Sequence, residues 1–312
     1  MFDYLTLEPL SDDNIKAVYD MCENNNVRFV SHPFEAFKKA SLNSDNFDPD
    51  LSIVAKNTDG RVIAFFMAIF RRGFVLKKRK VAVLKFFVVD KEWRLKGIGS
   101  KIFKILLKKI KERAKFKTKF EVLSAMPDYW FPGLDPRHTE AYFFLKKFGF
   151  RKGGERVNLC VDLTQLSDDE PPSIHKNFEI KRAELKDKEE LVPLKFMPRA
   201  YRIGFWPLEV ALSFNNDPIS TFIARNSRTG EIVGWASHSI QFPGSFGPTG
   251  VKKSARGQGL GSILLDWCLW DLKQAGFKKA KILWVVGDTI YFYLKSRSAY
   301  ICEFFWTMKK RI

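Results

Sequence analysis

The sequence is short of the features that mark membrane proteins, disulfide frameworks and metal centres. Its longest uninterrupted apolar run, 62–70, falls well below the roughly 18–20 residues that cross a bilayer, so no membrane span is expected. No basic region followed by an apolar block opens the chain, so we expect no secretory signal and a cytoplasmic location. The cysteines Cys22, Cys160, Cys268 and Cys302 form no CxxC pair and have no histidine at ligand spacing. We therefore expect reduced core thiols and no metal site.

Acidic residues are also scarce relative to basic ones. The 53 lysines and arginines outnumber the 35 aspartates and glutamates, which gives a formal net charge of +18. A basic field of this size favours anionic partners such as nucleic acid or phosphorylated cofactors. At the same time 46% of the 312 residues are hydrophobic and 15% are aromatic, which excludes a disordered chain. The length predicts two domains, each with a core of its own.

The chain reads as a tandem repeat. LSIVAKNTDGRVIAFFMAIF (51–70) resembles STFIARNSRTGEIVGWASHSI (220–240), and each predicts a β-hairpin by its turn residues and β-branched content. The polar, acidic and proline-bearing stretch 166–177 is predicted to be a linker. The predicted domains are therefore residues 1–165 and 178–312.

A second matching pair follows the hairpins. WRLKGIGSKIFKILLKKIKERA (93–114) resembles ARGQGLGSILLDWCLWDLKQAG (255–276), and both continue into apolar residues at helical spacing. Strands and helices are interspersed in both halves, which predicts a mixed α/β fold with a sheet in each. The copies differ in length, because the first carries about fourteen extra residues centred on SAMPDYWFPGLDPRHT (124–139).

The shared glycine turns point to phosphate binding. A strand that ends in Arg-x-x-Gly-x-Gly and opens a helix aims several backbone N–H groups at one point, beside the positive end of the helix dipole. Glycine admits a phosphate close to the backbone and adopts positive φ at little cost. One such turn alone is weak support, but two copies with the same arginine and serine positions are hard to ascribe to chance. Neither copy has the Lys-Ser/Thr ending of a P-loop or the third glycine of a dinucleotide fold.

The motifs Arg94-x-x-Gly97-x-Gly99 and Arg256-x-x-Gly259-x-Gly261 resemble the acyl-CoA-binding turn of the GNAT acyltransferase superfamily. The resemblance extends over nearly the whole chain, once in each half. The chain is similar to tandem GNAT proteins such as the mycothiol synthase group. It implies two tandem domains, each a mixed and mostly antiparallel sheet flanked by helices, and acetyl-CoA as co-substrate. The residues it implies for cofactor binding are Val88, Val89, Arg94, Lys96, Gly97, Ile98, Gly99 and Ser100 in the first copy, and Gly250, Val251, Arg256, Gly257, Gln258, Gly259, Leu260, Gly261 and Ser262 in the second.

The resemblance also implies where catalysis occurs. In the family an amine attacks the thioester directly, and a tyrosine in a Phe-Tyr pair protonates the leaving thiolate. Tyr293 stands at that place in the second copy, with Tyr291 as an alternative. In the first copy Phe144 and Leu145 align with the pair, and leucine donates no proton. The prediction is therefore an N-acetyltransferase whose catalytic domain is the second.

Residues alone do not settle the general base. His238 lies on a predicted hairpin strand, Glu231 lies beside the hairpin turn, and Asp288 is a candidate helix cap. A water-mediated base, or none, is equally compatible with the sequence. The amine acceptor is left open between a small molecule and a protein, and the oligomeric state is not predicted.

Two other functions fit the same sequence. A non-catalytic acyl-CoA sensor or scaffold would explain the missing tyrosine in one copy. A nucleic-acid-associated protein would use the basic stretches 71–80 and 101–119, although a solvated lysine face accounts for them more simply. We favour the acyltransferase.

Overall fold

The computed structural model describes residues 5–25, 33–71, 81–114, 118–126, 129–167, 175–202 and 204–312. The chain forms two compact units. The first contains the described residues up to Glu155 together with Phe305–Ile312, and the second contains Arg156–Phe304. Residues 72–80 of the predicted basic stretch 71–80 and most of the predicted linker lie outside the described residues.

The described helices and strands alternate along the chain as predicted. In chain order they are β1 (Thr6–Glu8), α1 (Ile15–Asn24), α2 (Phe34–Ala40), β2 (Ser52–Lys56), β3 (Val62–Arg71), β4 (Val81–Val89), α3 (Ile98–Arg113), β5 (Lys119–Val122), α4 (Thr139–Lys147), β6 (Arg151–Asp162), β7 (Phe178–Arg182), α5 (Lys188–Leu191), α6 (Arg199–Arg202), α7 (Trp206–Ser213), β8 (Thr221–Asn226), β9 (Ile232–His238), β10 (Ser245–Val251), α8 (Leu260–Gln274), β11 (Lys279–Val285), α9 (Thr289–Arg297) and β12 (Tyr300–Arg311).

Each unit has a mostly antiparallel sheet. In the first unit the strand order is β1-β2-β3-β4-β5-β12, and in the second it is β6-β11-β10-β9-β8-β7. The β4–β5 and β10–β11 pairs are parallel, and the other pairs described in these two orders are antiparallel. The two predicted hairpins are β2–β3 and β8–β9. The predicted mixed α/β class is confirmed.

Amphipathic helices cover the sheets as their spacing requires. In α3 the buried residues are Ile98, Ile102, Phe103, Leu106 and Ile110, which recur every three or four positions and pack into the first core. The lysines of the same helix lie largely on its opposite side, at the surface. This pattern agrees with a solvated basic face.

The units exchange the ends of two strands, which shifts the boundary between them. Residues 305–312 of the second repeat belong to the first unit, where β12 pairs with β5 through Lys309 and Glu121. Residues 156–162 of the first repeat belong to the second unit, where β6 pairs with β11. The division therefore differs from the predicted boundary at 165–178, because a sequence repeat does not reveal which sheet its last strand joins.

The expectation that all four cysteines are reduced is wrong. Cys160 on β6 and Cys302 on β12 form a disulfide, with their Cα atoms 5.7 Å apart. The two cysteines are 142 residues apart in the sequence, so the sequence did not indicate that they lie close together in the fold. Cys22 and Cys268 are free and buried, as predicted, and burial raises the pKa of both thiols. Among the described helices, none combines the length and the apolar composition needed to span a bilayer.

Candidate functional site

The two glycine turns are built alike. Each leaves its strand through a short 3-10 turn, and each arginine braces the turn against the end of that strand. Arg94 donates from Nε to the Val89 carbonyl oxygen at 3.0 Å, and Arg256 donates from Nε to the Val251 carbonyl oxygen at 3.1 Å. The guanidinium group of each arginine therefore helps to hold the turn in shape.

The first glycine of each Arg-x-x-Gly-x-Gly motif is the N-cap of a helix. Gly97 has φ +82° before α3, and Gly259 has φ +80° before α8. These left-handed values favour glycine and direct the first helical N–H groups out of the turn. The next motif glycines also correspond. A Cβ on Gly99 would lie 3.6 Å from the Phe144 ring, and one on Gly261 would lie 3.4 Å from the Phe292 ring. Phe144 and Phe292 are thus equivalent positions, as the sequence alignment predicted.

In the first unit the strand before the turn separates from its parallel neighbour. The described pairs between β4 and β5 end at Leu84 and Val122, and the Leu123 N–H donates to the Leu84 carbonyl oxygen at 2.8 Å. Beyond that point β4 is paired with β3 only, among the described residues. Among the described residues no strand therefore pairs with the backbone of Phe87–Val89 on the β5 side, and the Val89 carbonyl oxygen accepts the hydrogen bond from Arg94.

A cavity of about 640 Å³ fills this opening in the first unit. It extends from the glycine turn along the end of β4, and α4, the extra segment of the first repeat and β12 complete its walls. Aromatic rings dominate the lining. The side chains concerned are Phe66, Phe87, Trp93, Phe131, Phe143, Phe144 and Phe305. A cavity of this size and character is typical of a cofactor or small-molecule site.

Polar and charged groups complete the lining. Arg94 and Lys147 supply positive charge, and Ser100 lies in the first turn of α3. Asp135 and His138 belong to the segment that leads into α4, and Glu140 lies in the first turn of that helix. The Asp135 carboxylate accepts hydrogen bonds from Nε of Arg137 at 2.9 and 3.2 Å. The arrangement suits an elongated ligand with an anionic end at the turn and an apolar remainder.

A family model for the Acetyltransferase (GNAT) family matches residues 17–128 and 183–297, one match for each repeat. The chain belongs to the GNAT acetyltransferase family. The predicted resemblance is confirmed, and so is the prediction of an acetyltransferase.

Solved structures have the same fold over nearly the whole chain. The glucosamine N-acetyltransferase region of a fungal multi-domain GH3 β-N-acetylglucosaminidase is 17% identical, with a TM-score of 0.77 over 98% of this chain and 38% of that one. A GCN5-related N-acetyltransferase from Sphaerobacter thermophilus is 14% identical, with a TM-score of 0.73, 99% coverage of this chain and 96% of that one. A tandem GNAT protein from the clavulanic acid biosynthesis pathway is 16% identical, with a TM-score of 0.68 and 98% coverage of both chains. No curated protein sequence matches.

The GNAT turn of the second unit has different neighbours. Ser262 forms a hydrogen bond with Ser296 of α9 at 3.1 Å between their hydroxyl oxygens, and Asp266 of α8 forms an ion pair with Arg297. These two contacts connect α8 to α9 directly. In the first unit Ser100, which stands at the position of Ser262, lines the cavity instead.

The remaining predicted cofactor residues lie on or beside the two turns. Val88 and Val89 line the cavity, and Gly250 and Val251 end β10 at the equivalent position. Ile98 and Leu260 are buried first residues of their helices. Lys96 is exposed, with its Nζ 5.0 Å from the Trp93 ring centre. In the second turn Gly257 has φ +76° and Gln258 is exposed.

Tyr293, the predicted proton donor, lies inside the second unit. It is 5% exposed, packs in the core, and has its ring centre 6.0 Å from that of Phe246. Burial raises the pKa of its hydroxyl, so the group stays protonated. Tyr291 is 65% exposed on the same helix. Tyr293 as catalytic acid stays a prediction.

Two of the three candidate bases of the second unit have side-chain partners. His238 is buried, with Nε2 2.9 Å from an Asp271 carboxylate oxygen and Nδ1 3.1 Å from the Ser239 hydroxyl. Glu231 accepts a hydrogen bond from Nζ of Lys252 at the surface. Asp288 precedes α9 but makes no side-chain capping bond. None of the three lines the cavity described above.

Two features escaped the sequence reasoning. The extra segment of the first repeat forms one wall of the cavity through Phe131 and Leu134, and its only advance signal was the difference in repeat length. Glu209 of α7 is buried, accepts a hydrogen bond from Gln241 at 2.9 Å, and has its pKa raised to about 8 by burial. A single carboxylate in the apolar run FWPLEVAL was the available sign.

Proposed function

We propose that this protein transfers an acyl group from an acyl-CoA thioester to an amine, and that the first unit holds the donor. The cavity beside the Arg94–Gly99 turn carries this proposal. Its turn offers helix N–H groups to a pyrophosphate, and Arg94 and Lys147 add positive charge. The backbone of β4 that is open on the β5 side offers hydrogen bonds to the amide groups of a pantetheine arm.

The apolar depth of the cavity supports the same ligand. The thioester end of the donor would lie where β4 and β5 separate, near Phe87 and Leu123, among groups that exclude water. Exclusion of water favours attack by an amine over hydrolysis. Acetyl-CoA is the proposed donor, and the amine is either a small molecule or a protein. Nucleic acid is not favoured as a partner. The lysines of α3 lie on the surface of an amphipathic helix, where solvation alone accounts for them.

A matched pair of variants tests which turn binds the donor. Ser100→Glu puts a carboxylate in the proposed pyrophosphate site, and Ser262→Glu puts one at the same position of the second turn. A carboxylate at a helix N-terminus favours the helix, so both variants should fold. In calorimetric titrations with acetyl-CoA, we expect Ser100→Glu to weaken binding at least about tenfold through like-charge repulsion, and Ser262→Glu to leave it unchanged.

Other outcomes would redirect the proposal. Loss of binding in Ser262→Glu alone would move the donor to the second unit. Absence of acetyl-CoA binding by the wild type would contradict the proposed function. Where acetyl-CoA binds, the acceptor is identified by measuring the release of free CoA thiol with a panel of amines. The panel contains glucosamine, an aminoglycoside, free amino acids and a peptide N-terminus.

A second candidate keeps the reaction but assigns the proton donor to Tyr293 of the second unit. The neighbouring Phe292, which packs on the motif glycine Gly261 of the second turn, favours this candidate. Tyr293→Phe keeps the packing against Phe246 and removes only that hydroxyl. With the donor in the first unit we expect an unchanged kcat. A fall of about a hundredfold with unchanged acetyl-CoA affinity, within the range of acid–base catalysis, would instead support Tyr293.

A further inference from the structure

The two units carry their proton-bearing side chains at different places relative to the glycine turn. Phe144 and Phe292 are equivalent, because they pack on equivalent glycines. The residue after each is Leu145 in the first unit and Tyr293 in the second. Six residues before each stand His138 in the first unit and Val286 in the second. The first unit therefore lacks the tyrosine but has an imidazole before its helix.

His138 is held beside the proposed donor site by its backbone. It directly precedes α4, its N–H donates to the Asp135 carbonyl oxygen at 3.1 Å, and its own carbonyl oxygen accepts from the Tyr142 N–H at 3.1 Å. These bonds close the turn that begins the helix. His138 lines the cavity together with Phe87 and Leu123, where the two parallel strands separate.

Among the cavity-lining residues that the structure describes, the other charged side chains are Arg94, Asp135, Glu140 and Lys147. The arginine and the lysine suit an anion, and the Asp135 carboxylate is bonded to Arg137. An imidazole is the side chain whose ordinary titration range makes it both a proton acceptor and a proton donor near neutral pH. The lining thus offers, in His138, an imidazole suited to move a proton in both directions.

We propose that His138 is the proton-transfer residue of an acyltransferase centre in the first unit, an inference that rests on the proposed function. The neutral amine attacks the thioester carbonyl carbon, the C–N bond forms, and the C–S bond breaks. The imidazole takes the proton that the amine nitrogen loses and delivers it to the CoA sulfur. The products are the amide and CoA thiol, and the imidazole returns to its neutral form.

The test uses hydroxylamine as the acceptor probe, because it is small and largely neutral near pH 7. Free CoA thiol released from acetyl-CoA is followed in wild type, His138→Gln and His138→Gly, with the uncatalysed rate subtracted. His175→Gln is the matched control, since His175 lies in the second unit. We expect His138→Gln to lower kcat about a hundredfold, to leave acetyl-CoA affinity unchanged by calorimetry, and to remove the rise of rate with pH around neutrality. Added imidazole should restore part of the rate in His138→Gly.

Each contrary outcome is distinct. A His138→Gln rate within threefold of wild type, with the pH profile retained, would overturn the role of His138 and leave the proposed function standing. Acetyl-CoA binding by the wild type without thiol release, with hydroxylamine or with any amine of the panel above, would overturn both the transfer and the role of His138, but not the donor site. Failure of the wild type to bind acetyl-CoA would overturn the proposed function itself.

Discussion

At the scale of the residue, burial of Glu209 makes the stability of the second unit depend on pH. Its pKa of about 8 in the folded protein lies above the roughly 4.3 of an unfolded glutamate, so the native state binds more protons between these values. The contribution of this group to stability is therefore present at low pH and is lost as the pH rises towards 8. Asp271 affects the pH dependence of stability in the opposite direction. Burial raises its pKa, but the contacts with His238 and Arg182 lower it by more.

Glu209→Gln should remove this dependence. The amide keeps an oxygen that accepts the Gln241 hydrogen bond and carries no charge. We expect the variant to be more stable than wild type by a few kcal/mol at pH 8.5, at roughly 1.4 kcal/mol per pKa unit, and little changed at pH 4.5. Urea denaturation at both pH values measures the difference. The exposed Glu231→Gln serves as control, and an equal gain at both pH values would show that charge burial is not the cause.

At the scale of the element, the extra segment of the first repeat is attached to β12 by a close backbone approach. Leu134 and Trp306 exchange two backbone hydrogen bonds of 2.8 Å, so the segment extends the edge of the cavity wall that Phe305 also lines. Gly133 permits this contact. A Cβ there would lie 2.6 Å from the Trp306 carbonyl oxygen, which is closer than side chains tolerate.

Gly133→Ala should therefore displace the segment and weaken acetyl-CoA binding. We expect at least about a tenfold rise in Kd, because misplaced walls lose the packing that affinity needs, while the thermal transition falls modestly. Gly60→Ala is the comparison, since Gly60 has φ +77° in the β2–β3 turn and no neighbour within 4 Å. That variant should lose stability through strain but keep its affinity. Equal affinity in the two variants would mean that the segment does not shape the site.

The elements themselves were largely predictable. The hairpins β2–β3 and β8–β9, the turn-to-helix junctions before α3 and α8, and the buried face of α3 all follow from local turn residues and spacing. The insertion was visible as a difference in length, but its role was not, because the sequence does not say which wall it joins. The pairing of β12 with β5 of the first unit could not be predicted either. Both units contain a similar parallel strand pair, and the sequence does not say which of the two the last strand joins.

At the scale of the whole molecule, the Cys160–Cys302 disulfide closes a loop of 142 residues. Both cysteines belong to the second unit, and Cys302 lies three residues before the point where the chain enters the first unit. Constraint of so long a loop in the unfolded chain stabilises the folded one. Reduction should lower the free energy of unfolding.

The expected loss is about 2–4 kcal/mol, the usual effect of removing a long-range disulfide. Urea denaturation of wild type with and without reductant measures it, and Cys160→Ser should behave identically in both conditions. Thiol titration of the denatured, unreduced protein should find two free thiols, those of Cys22 and Cys268. Four free thiols, or a stability that reductant does not change, would contradict the bond.

The amino-acid sequence by itself determined the tandem repeat, the mixed α/β fold, the two glycine turns that open helices and the GNAT family, because these follow from local residue spacing and from glycine at the turns. Tertiary structure alone decided that the described cavity beside a glycine turn lies in the first unit, that Tyr293 is buried, that Glu209 has a raised pKa, and that Cys160 forms a disulfide with Cys302. These features depend on which distant residues line the same cavity or pack in the same core, and the spacing of residues along the chain does not reveal such contacts.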